Sequence, residues 1–299
     1  MGAIEISLMG VMILMYTLQS LLTRKYSDHY PGKPEMASPV FTVVSGLVVA
    51  IVSFAMCLFD GGIAAHPSTI LLGIANAVTL LIYNTCLIRA SQKGPYSILM
   101  IFLIAGGIIV PTVEESISTR TFPSWVAIGC IFVILISVYL VSSKKDEDMK
   151  GSRTFFLLCT VLGIANGVYG ALLNIQQRLT TAAEKEEMVA VTYLGAALLS
   201  AIVLAFGAKR ELGATLKQNK KSLFYLLSSS ATVVTAILLL TLLIGRMDNI
   251  TLLYTFDNSS VLLLSVLCSA VFFKEKMSAM NIVGCATMCA SLIVMVQWG

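Results

Sequence analysis

Ten apolar segments of roughly 20 residues each, separated by short polar stretches, leave this chain little choice of fold. They run from Ala3 to Thr23, Pro39 to Phe59, Pro67 to Ala90, Tyr96 to Val113 and Phe122 to Ser142, then from Thr154 to Gln177, Met188 to Ala208, Leu223 to Ile244, Ile250 to Phe273 and Met277 to Trp298. About 20 helical residues cross a hydrocarbon core of about 30 Å, where every backbone polar group must find its partner inside the protein. A single such segment could be the buried helix of a soluble domain; ten in succession could not. The composition agrees, with 57% hydrophobic and 12% charged residues and a mean hydropathy of +0.89. The expectation is an all-α integral membrane protein of ten transmembrane helices, with no room for a sizeable soluble domain. The first segment has Glu5 before it and Arg24-Lys25 after it, and lacks the basic start and small-residue cleavage site of a signal peptide, so it should be retained.

The same sequence argues against an enzyme. Its two histidines, His29 and His66, lie far apart, and there is no H-E-x-x-H, G-x-S-x-G or clustered His/Asp/Glu set. No metal and no cofactor is expected. The seven cysteines all fall in apolar runs without a C-x-x-C pair and read as small buried hydrophobes. The net charge of +4 is small, and no nucleic-acid partner is expected. Placement of the charge is more telling than its size: 16 of the 20 basic residues fall in odd-numbered loops, leaving Arg120, Arg178, Lys185 and Arg246 in even-numbered ones. Because Lys and Arg are held on the cytoplasmic side, odd loops should be cytoplasmic and both termini exoplasmic.

Sliding the chain against itself by 155 residues places "VAIGCIFVILISVYLV" from Val126 on "NIVGCATMCASLIVMV" from Asn281, so that Gly129-Cys130 meets Gly284-Cys285. Spans three and four then fall on spans eight and nine. An odd number of spans per copy reverses the second copy, giving two inverted five-helix repeats, 1–150 and 151–299. Secondary transporters recurrently use this architecture, with a solute site near the midplane between the halves.

Ten spans in two halves, short loops and the unit "FFKEKMSAMNIVGCATMCASLIVMV" resemble the EamA-type members of the drug/metabolite transporter superfamily. Glu275 and Gly284 match that family's glutamate at the end of the penultimate span and glycine in the last. The ninth span lacks the proline often found there, and the first half has Arg120 where the second has Glu275. The resemblance implies a ten-helix transporter of small metabolites, with an integral location in a prokaryotic plasma membrane. It leaves the solute open among amino acids, sugars, nucleotide sugars and cationic compounds.

Polar residues inside the spans are informative, because each costs free energy in hydrocarbon unless it faces a partner or a cavity. On span six, Asn166, Gly170 and Asn174 recur every four residues, with Tyr169 and Gln177 beside them; interhelical hydrogen bonding and pore lining both fit. Span three offers Asn76, Thr79 and Tyr83 with Asn84 adjacent, and span one Tyr16, Gln19, Ser20 and Thr23. Tyr83 and Tyr254 suit either an interfacial anchor or a ligand contact. Ser228, Thr232 and Thr235 on span eight suit bonding to their own helix. Gly106, Gly107 and Pro111 weaken span four and suit a hinge as well as tight helix packing. Glu114 and Glu115 follow at the membrane edge, where a solvated position is expected.

Asp257 stands apart, inside "YTFDNSS" with apolar sequence on both sides and no mid-span Lys or Arg anywhere to pair with it. A carboxylate there costs at least about 2.5 kcal/mol unless protonated, paired or wet. At an offset of 155 it meets Phe102, so it is no symmetric scaffold element. It either couples transport, by binding a proton or a cation, or serves as a neutral structural acid. The reading that joins these features is an alternating-access transporter, operating as an exporter, of a small polar or cationic solute. Its cavity is lined by spans one, three, four, six, eight and nine, with Asp257, Asn258, Tyr254, Asn166, Tyr169, Asn174, Asn76, Tyr83 and Gln19 as candidate site residues and a proton or cation as the coupling ion. A non-transporting scaffold or sensor and a membrane-embedded enzyme are the alternatives.

Overall fold

The computed structural model describes residues 3–59, 62–63, 65–143, 153–179, 184–207, 219–244, 246, 250–275 and 279–298. Lys144, Lys145, Lys150, Lys209, Arg210, Lys217 and Lys276, which contribute to the expected loop orientation, lie outside them. Among the described residues there are ten helices: α1 (Ala3–His29), α2 (Pro34–Phe59), α3 (Pro67–Ser91), α4 (Tyr96–Thr119), α5 (Trp125–Ser143), α6 (Arg153–Leu179), α7 (Lys185–Gly207), α8 (Lys220–Ile244), α9 (Ile250–Phe272) and α10 (Ala279–Trp298). Seven of them, α1 to α4 and α6 to α8, are long and apolar enough to cross a membrane. The described apolar stretches of α5, α9 and α10 are shorter, Trp125–Tyr139, Phe256–Phe272 and Ile282–Met295. The chain therefore folds as an α-helical protein of membrane-spanning type.

Helix ends depart from segment ends for physical reasons. α1 runs on to His29 rather than stopping at Thr23, because nothing before Pro31 breaks its backbone ladder and charged side chains do not. α2 starts at Pro34, five residues before the apolar segment; a proline is tolerated at a first helical position. α4 runs six residues past Val113 and ends at Arg120 in the left-handed conformation, φ 53°.

The outer surface is apolar. Large apolar side chains such as Ile51, Leu71, Phe132, Phe206 and Leu267 point outward, as expected of a surface facing lipid. Many hydroxyls and amides point inward. Helix α4 is the hub of the main core, carrying buried Leu99, Met100, Ile101 and Ile104 against residues of α1, α6 and α9. The principal packing pairs are α2 with α7, α1 with α8, α3 and α4 with α6, α3 with α7, and α5 with α10. Helix α9 packs on α1, α4 and α10.

Glycines set the α4–α6 crossing. A Cβ on Gly106 would stand 2.0 Å from the carbonyl oxygen of Gly163, and one on Gly167 would stand 2.2 Å from that of Gly106. Gly163 and Gly167 form a small-xxx-small contact with α4, and Gly106 belongs to it. All seven cysteines are free, six of them buried.

Candidate functional site

The helices enclose a cavity of about 190 Å³ in the middle of the bundle. Each wall has a local origin. From α1 come Tyr16, Gln19 and Ser20, three and four residues apart and so on one face. Helix α6 supplies Asn166, Tyr169, Gly170 and Leu173, and α3 supplies Leu80, Tyr83, Asn84 and Leu87, again at helical spacing. Met100, Leu103, Ile104 and Gly107 of α4 face Asp257, Asn258 and Val261 of α9. Helix α8 closes the ring with Val233, Ile237 and Leu240. The expected lining by spans one, three, four, six, eight and nine is what the geometry has, with Phe41 and Ser45 of α2 and Tyr193 of α7 added. Phe41 escapes a search for polar residues because it is apolar, and Ser45 and Tyr193 because each is the one polar residue its span brings to the cavity. Tyr193 and Tyr169 both line the cavity wall.

Six of the nine candidate site residues meet here: Asp257, Asn258, Asn166, Tyr169, Tyr83 and Gln19. Asn76 does not. It is fully buried between α3 and α6, where its Nδ2 donates to the Tyr169 carbonyl at 3.5 Å, so it joins helices. Asn174 is half-buried and off the cavity wall. The side chain of Tyr254 lies outside the described residues. Of the three proposed hinge residues, Gly107 lines the cavity and Gly106 sits in the helix crossing. Pro111 lies within a continuous α4, its ring 3.6 Å from where a Gly170 Cβ would be. On α8, Thr232 and Thr235 donate to Ser229 and Ala231 of their own helix, as that residue type commonly does.

The polar end of the cavity is built around α9. Asp257 is 9% exposed, and its Oδ1 has no hydrogen-bond partner. No Lys, Arg or His lines the main cavity among the described residues. Across from it, Asn166 donates Nδ2 to the Leu103 carbonyl at 3.0 Å. Its amide nitrogen would lie 2.5 Å from a Cβ on Gly107, and the Asn258 Oδ1 3.9 Å from it. A glycine is what leaves this gap between the two asparagines.

The two ends of the cavity differ. At the end bearing the odd-numbered loops the helices are stitched together. Ser20 and Tyr96 hydroxyls meet at 2.5 Å, Ser27 donates to the Ile88 carbonyl at 3.3 Å, and Ser38 donates to Thr85 at 3.1 Å. Arg24 donates to the Gly94 carbonyl at 2.9 Å. Glu275 caps α4, accepting the backbone N–H groups of Tyr96 at 2.6 Å and Ser97 at 3.1 Å, and the Ser97 and Ser269 hydroxyls at 3.0 and 2.6 Å. These interactions satisfy orphan amides at a helix start, where negative charge is also favoured. At the other end a smaller cavity of about 40 Å³ shares Tyr16, Tyr169, Leu173, Ile237 and Leu240 with the main one and continues toward Gln177, Lys185 and Thr241. On the same side of the bundle Glu114 pairs with Arg178 at 3.4 Å with its side chain 12% exposed, more covered than the solvated position expected of it, whereas Glu115 is exposed.

No protein-family model matches the chain, and no curated protein matches it in sequence. Solved structures do: 26 chains match in fold. One of them, a protein crystal structure, superposes with a TM-score of 0.65 at 14% identity, over 98% of this chain and 96% of that chain. Likeness at that identity carries the fold alone, and it carries it over nearly the whole length of both chains.

Proposed function

We propose that the protein is a secondary active transporter that moves a small polar or cationic solute by alternating access, operating as an exporter with Asp257 as the coupling or binding acid. In this reading the chain is two inverted five-helix repeats, 1–150 and 151–299, of the EamA type that its sequence resembles. The odd-numbered loops face the cytoplasm.

One observation supports the reading: the spacings of the cavity-lining residues recur between the first five helices and the second five. Tyr16, Gln19 and Ser20 of α1 have the same spacing as Asn166, Tyr169 and Gly170 of α6, each 150 positions on. Leu103, Ile104 and Gly107 of α4 have the same spacing as Asp257, Asn258 and Val261 of α9, each 154 positions on. Leu80, Asn84 and Leu87 of α3 correspond to Val233, Ile237 and Leu240 of α8 at the 153-residue interval from Pro67 to Lys220. Even a hydrogen bond recurs: Ser229 donates to the Gln19 carbonyl, and the equivalent Asn76 to the Tyr169 carbonyl. Exchanging helix n with helix n+5 also carries α1–α8 packing onto α6–α3, and α4–α6 onto α9–α1. A wall made of equivalent faces from two halves suits a site that opens to either side when the halves rock.

The test uses protein reconstituted in liposomes, with a solute chosen by thermal-shift screening against amines, amino acids, sugars and nucleotides. A pH gradient is expected to drive uptake, and Asp257→Asn to abolish that uptake while leaving insertion and thermal stability close to wild type. Gradient-driven uptake at full rate in Asp257→Asn would reduce Asp257 to a structural acid; no flux of any solute would remove the transport reading.

A further inference from the structure

We infer that Phe273 is a latch that holds the odd-loop end of the cavity shut, clamped between the cationic end of α1 and the first residue of α4, and that its release opens that end. This inference rests on reading the protein as an alternating-access transporter and names the contact that decides which side is closed.

The latch is built in layers along one face of α1. Ser20 lines the cavity, and Arg24 follows it by about one helical turn on the same face. Beside Ser20, the fully buried Tyr96 places its hydroxyl 2.5 Å from the serine's. The Phe273 ring lies next, 5.3 Å from the Tyr96 ring and inclined to it by 47°. Over Phe273 stand two cations, the Arg24 Cζ 5.4 Å and the Lys25 Nζ 4.9 Å from the ring centroid. Both are within the range at which the electron-rich face of a ring attracts positive charge. Arg24 is itself fixed, donating Nη1 to the Gly94 carbonyl at 2.9 Å with its Nε 3.4 Å from the Asp28 Oδ1. A line of contacts therefore runs from the cavity wall through two aromatic rings to two charges, and it joins α1, α4 and the end of α9.

The turn after α9 presents Phe273 to this clamp. Lys274 adopts φ 53°, in the left-handed region that residues other than glycine seldom occupy. The turn returns Glu275 to the start of α4, where the Tyr96 and Ser97 backbone N–H groups donate to it. Tyr96 is thus held through its ring by Phe273 and through its backbone by Glu275. The turn by itself does not call for a latch. Among the described residues the other non-glycine residue with positive φ is Arg120, also at 53°, at the end of α4 and 154 positions earlier. Thr119 and Thr121 flank it, both exposed, and their hydroxyls meet each other. The even-loop end has the turn with threonines in place of the ring and the carboxylate, so the latch belongs to one side of the protein.

The test reads access to the cavity from each face. Ser45 lines the cavity away from the latch, so Ser45→Cys is the reporter, labelled with a charged, membrane-impermeant methanethiosulfonate in intact cells and in inverted membrane vesicles. The exposed Lys93, as Lys93→Cys in a separate sample, marks the odd-loop face, and the full chain without either change gives the background of its native cysteines. Phe273→Ala is expected to speed labelling from the odd-loop face at least about tenfold and to slow it from the other face, because the two sides open alternately. Phe273→Leu keeps apolar bulk without the ring, and Arg24→Gln with Lys25→Gln keeps the ring without the charges; each is expected to shift labelling the same way by about threefold. These two carry the test if Phe273→Ala inserts poorly. Faster labelling from both faces would mean a loosened bundle and overturn the latch, as would unchanged labelling in every variant. A shift of access from one face to the other without flux of any solute would keep the latch and sink the transport reading; flux with unshifted access would do the reverse.

Discussion

Glu184 caps a helix to which it does not belong. Its carboxylate accepts the His66 backbone N–H at 3.1 Å, pairs with the His66 ring at 2.6 Å and takes the Thr69 hydroxyl, so it ties the start of α3 to the start of α7. The Thr69 hydroxyl first, and then the His66 groups, hold this carboxyl below its usual 4.5, against the opposing effect of burial. A carboxyl lowered in the folded state contributes stability that is complete above its ordinary value. That stability is lost as pH falls through the lowered one, when a proton takes the acceptor away. The thermal midpoint in detergent should therefore drop as pH falls below the ordinary carboxylate range. Thr69→Val should be less stable than wild type at pH 7 and lose less on acidification. Equal acid sensitivity in the two proteins would show that the cap contributes nothing. Glu184 and Asp257 also mark the limits of reading residues from sequence. Asp257 announces itself, because a carboxylate in an apolar run has no bland explanation. Glu184 sits beside charged neighbours in a loop, and its partner is 118 positions away, so no local pattern reveals it.

At the scale of elements, α4 and α6 approach so closely that their glycines are structural necessities. A methyl on Gly106 would stand 2.0 Å from one backbone atom of Gly163 and 2.1 Å from the next, and backbone cannot swing aside. Gly106→Ala should separate the helices, strip Asn166 from the Leu103 carbonyl and lower stability by about 1–3 kcal/mol, the usual cost of overpacking, toward the upper end. Gly129→Ala is the control, with nothing within 4 Å of its new Cβ; there the better helix propensity should leave stability unchanged or slightly raised. Thermal unfolding of both variants in detergent decides it, and matching midpoints would sink the argument. The existence of the helices was legible, because apolar length alone dictates it. Their pairing was only half legible: Gly106, Gly107 and Pro111 suit a hinge or a contact equally until the neighbouring helix is known. Asn76 and Asn166 look alike in sequence, yet one lies between helices and the other on the cavity wall. Which face a polar residue serves depends on where its helix is rotated, and uniformly apolar flanks do not record that rotation.

For the whole molecule, the informative feature is where the two proposed halves fail to match. Helix α3 packs on α1, α2 and α4, whereas its counterpart α8 makes no contact of similar extent with α6, α7 or α9 among the described residues. The difference falls on particular pairs. Ser27 reaches the Ile88 carbonyl at the odd-loop end, while the equivalent positions, Gln177 and Thr241 by the same 150- and 153-residue intervals, stand on opposite sides of the outer cavity. If the halves exchange conformations during transport, the contacts around α3 must open when those around α8 form. Ser38 and Thr85 hold α2 to α3 at the closed end with their oxygens 3.1 Å apart, close enough for cysteines there to be bridged after modest adjustment. The double variant Ser38→Cys, Thr85→Cys should, when oxidised, retain solute binding and lose flux in liposomes, and recover flux on reduction. Six of the seven native cysteines are buried, so each single variant serves as the control for unintended oxidation. Undiminished flux through the oxidised double variant would mean that α2 and α3 travel together, and that the odd-loop end opens elsewhere or not at all.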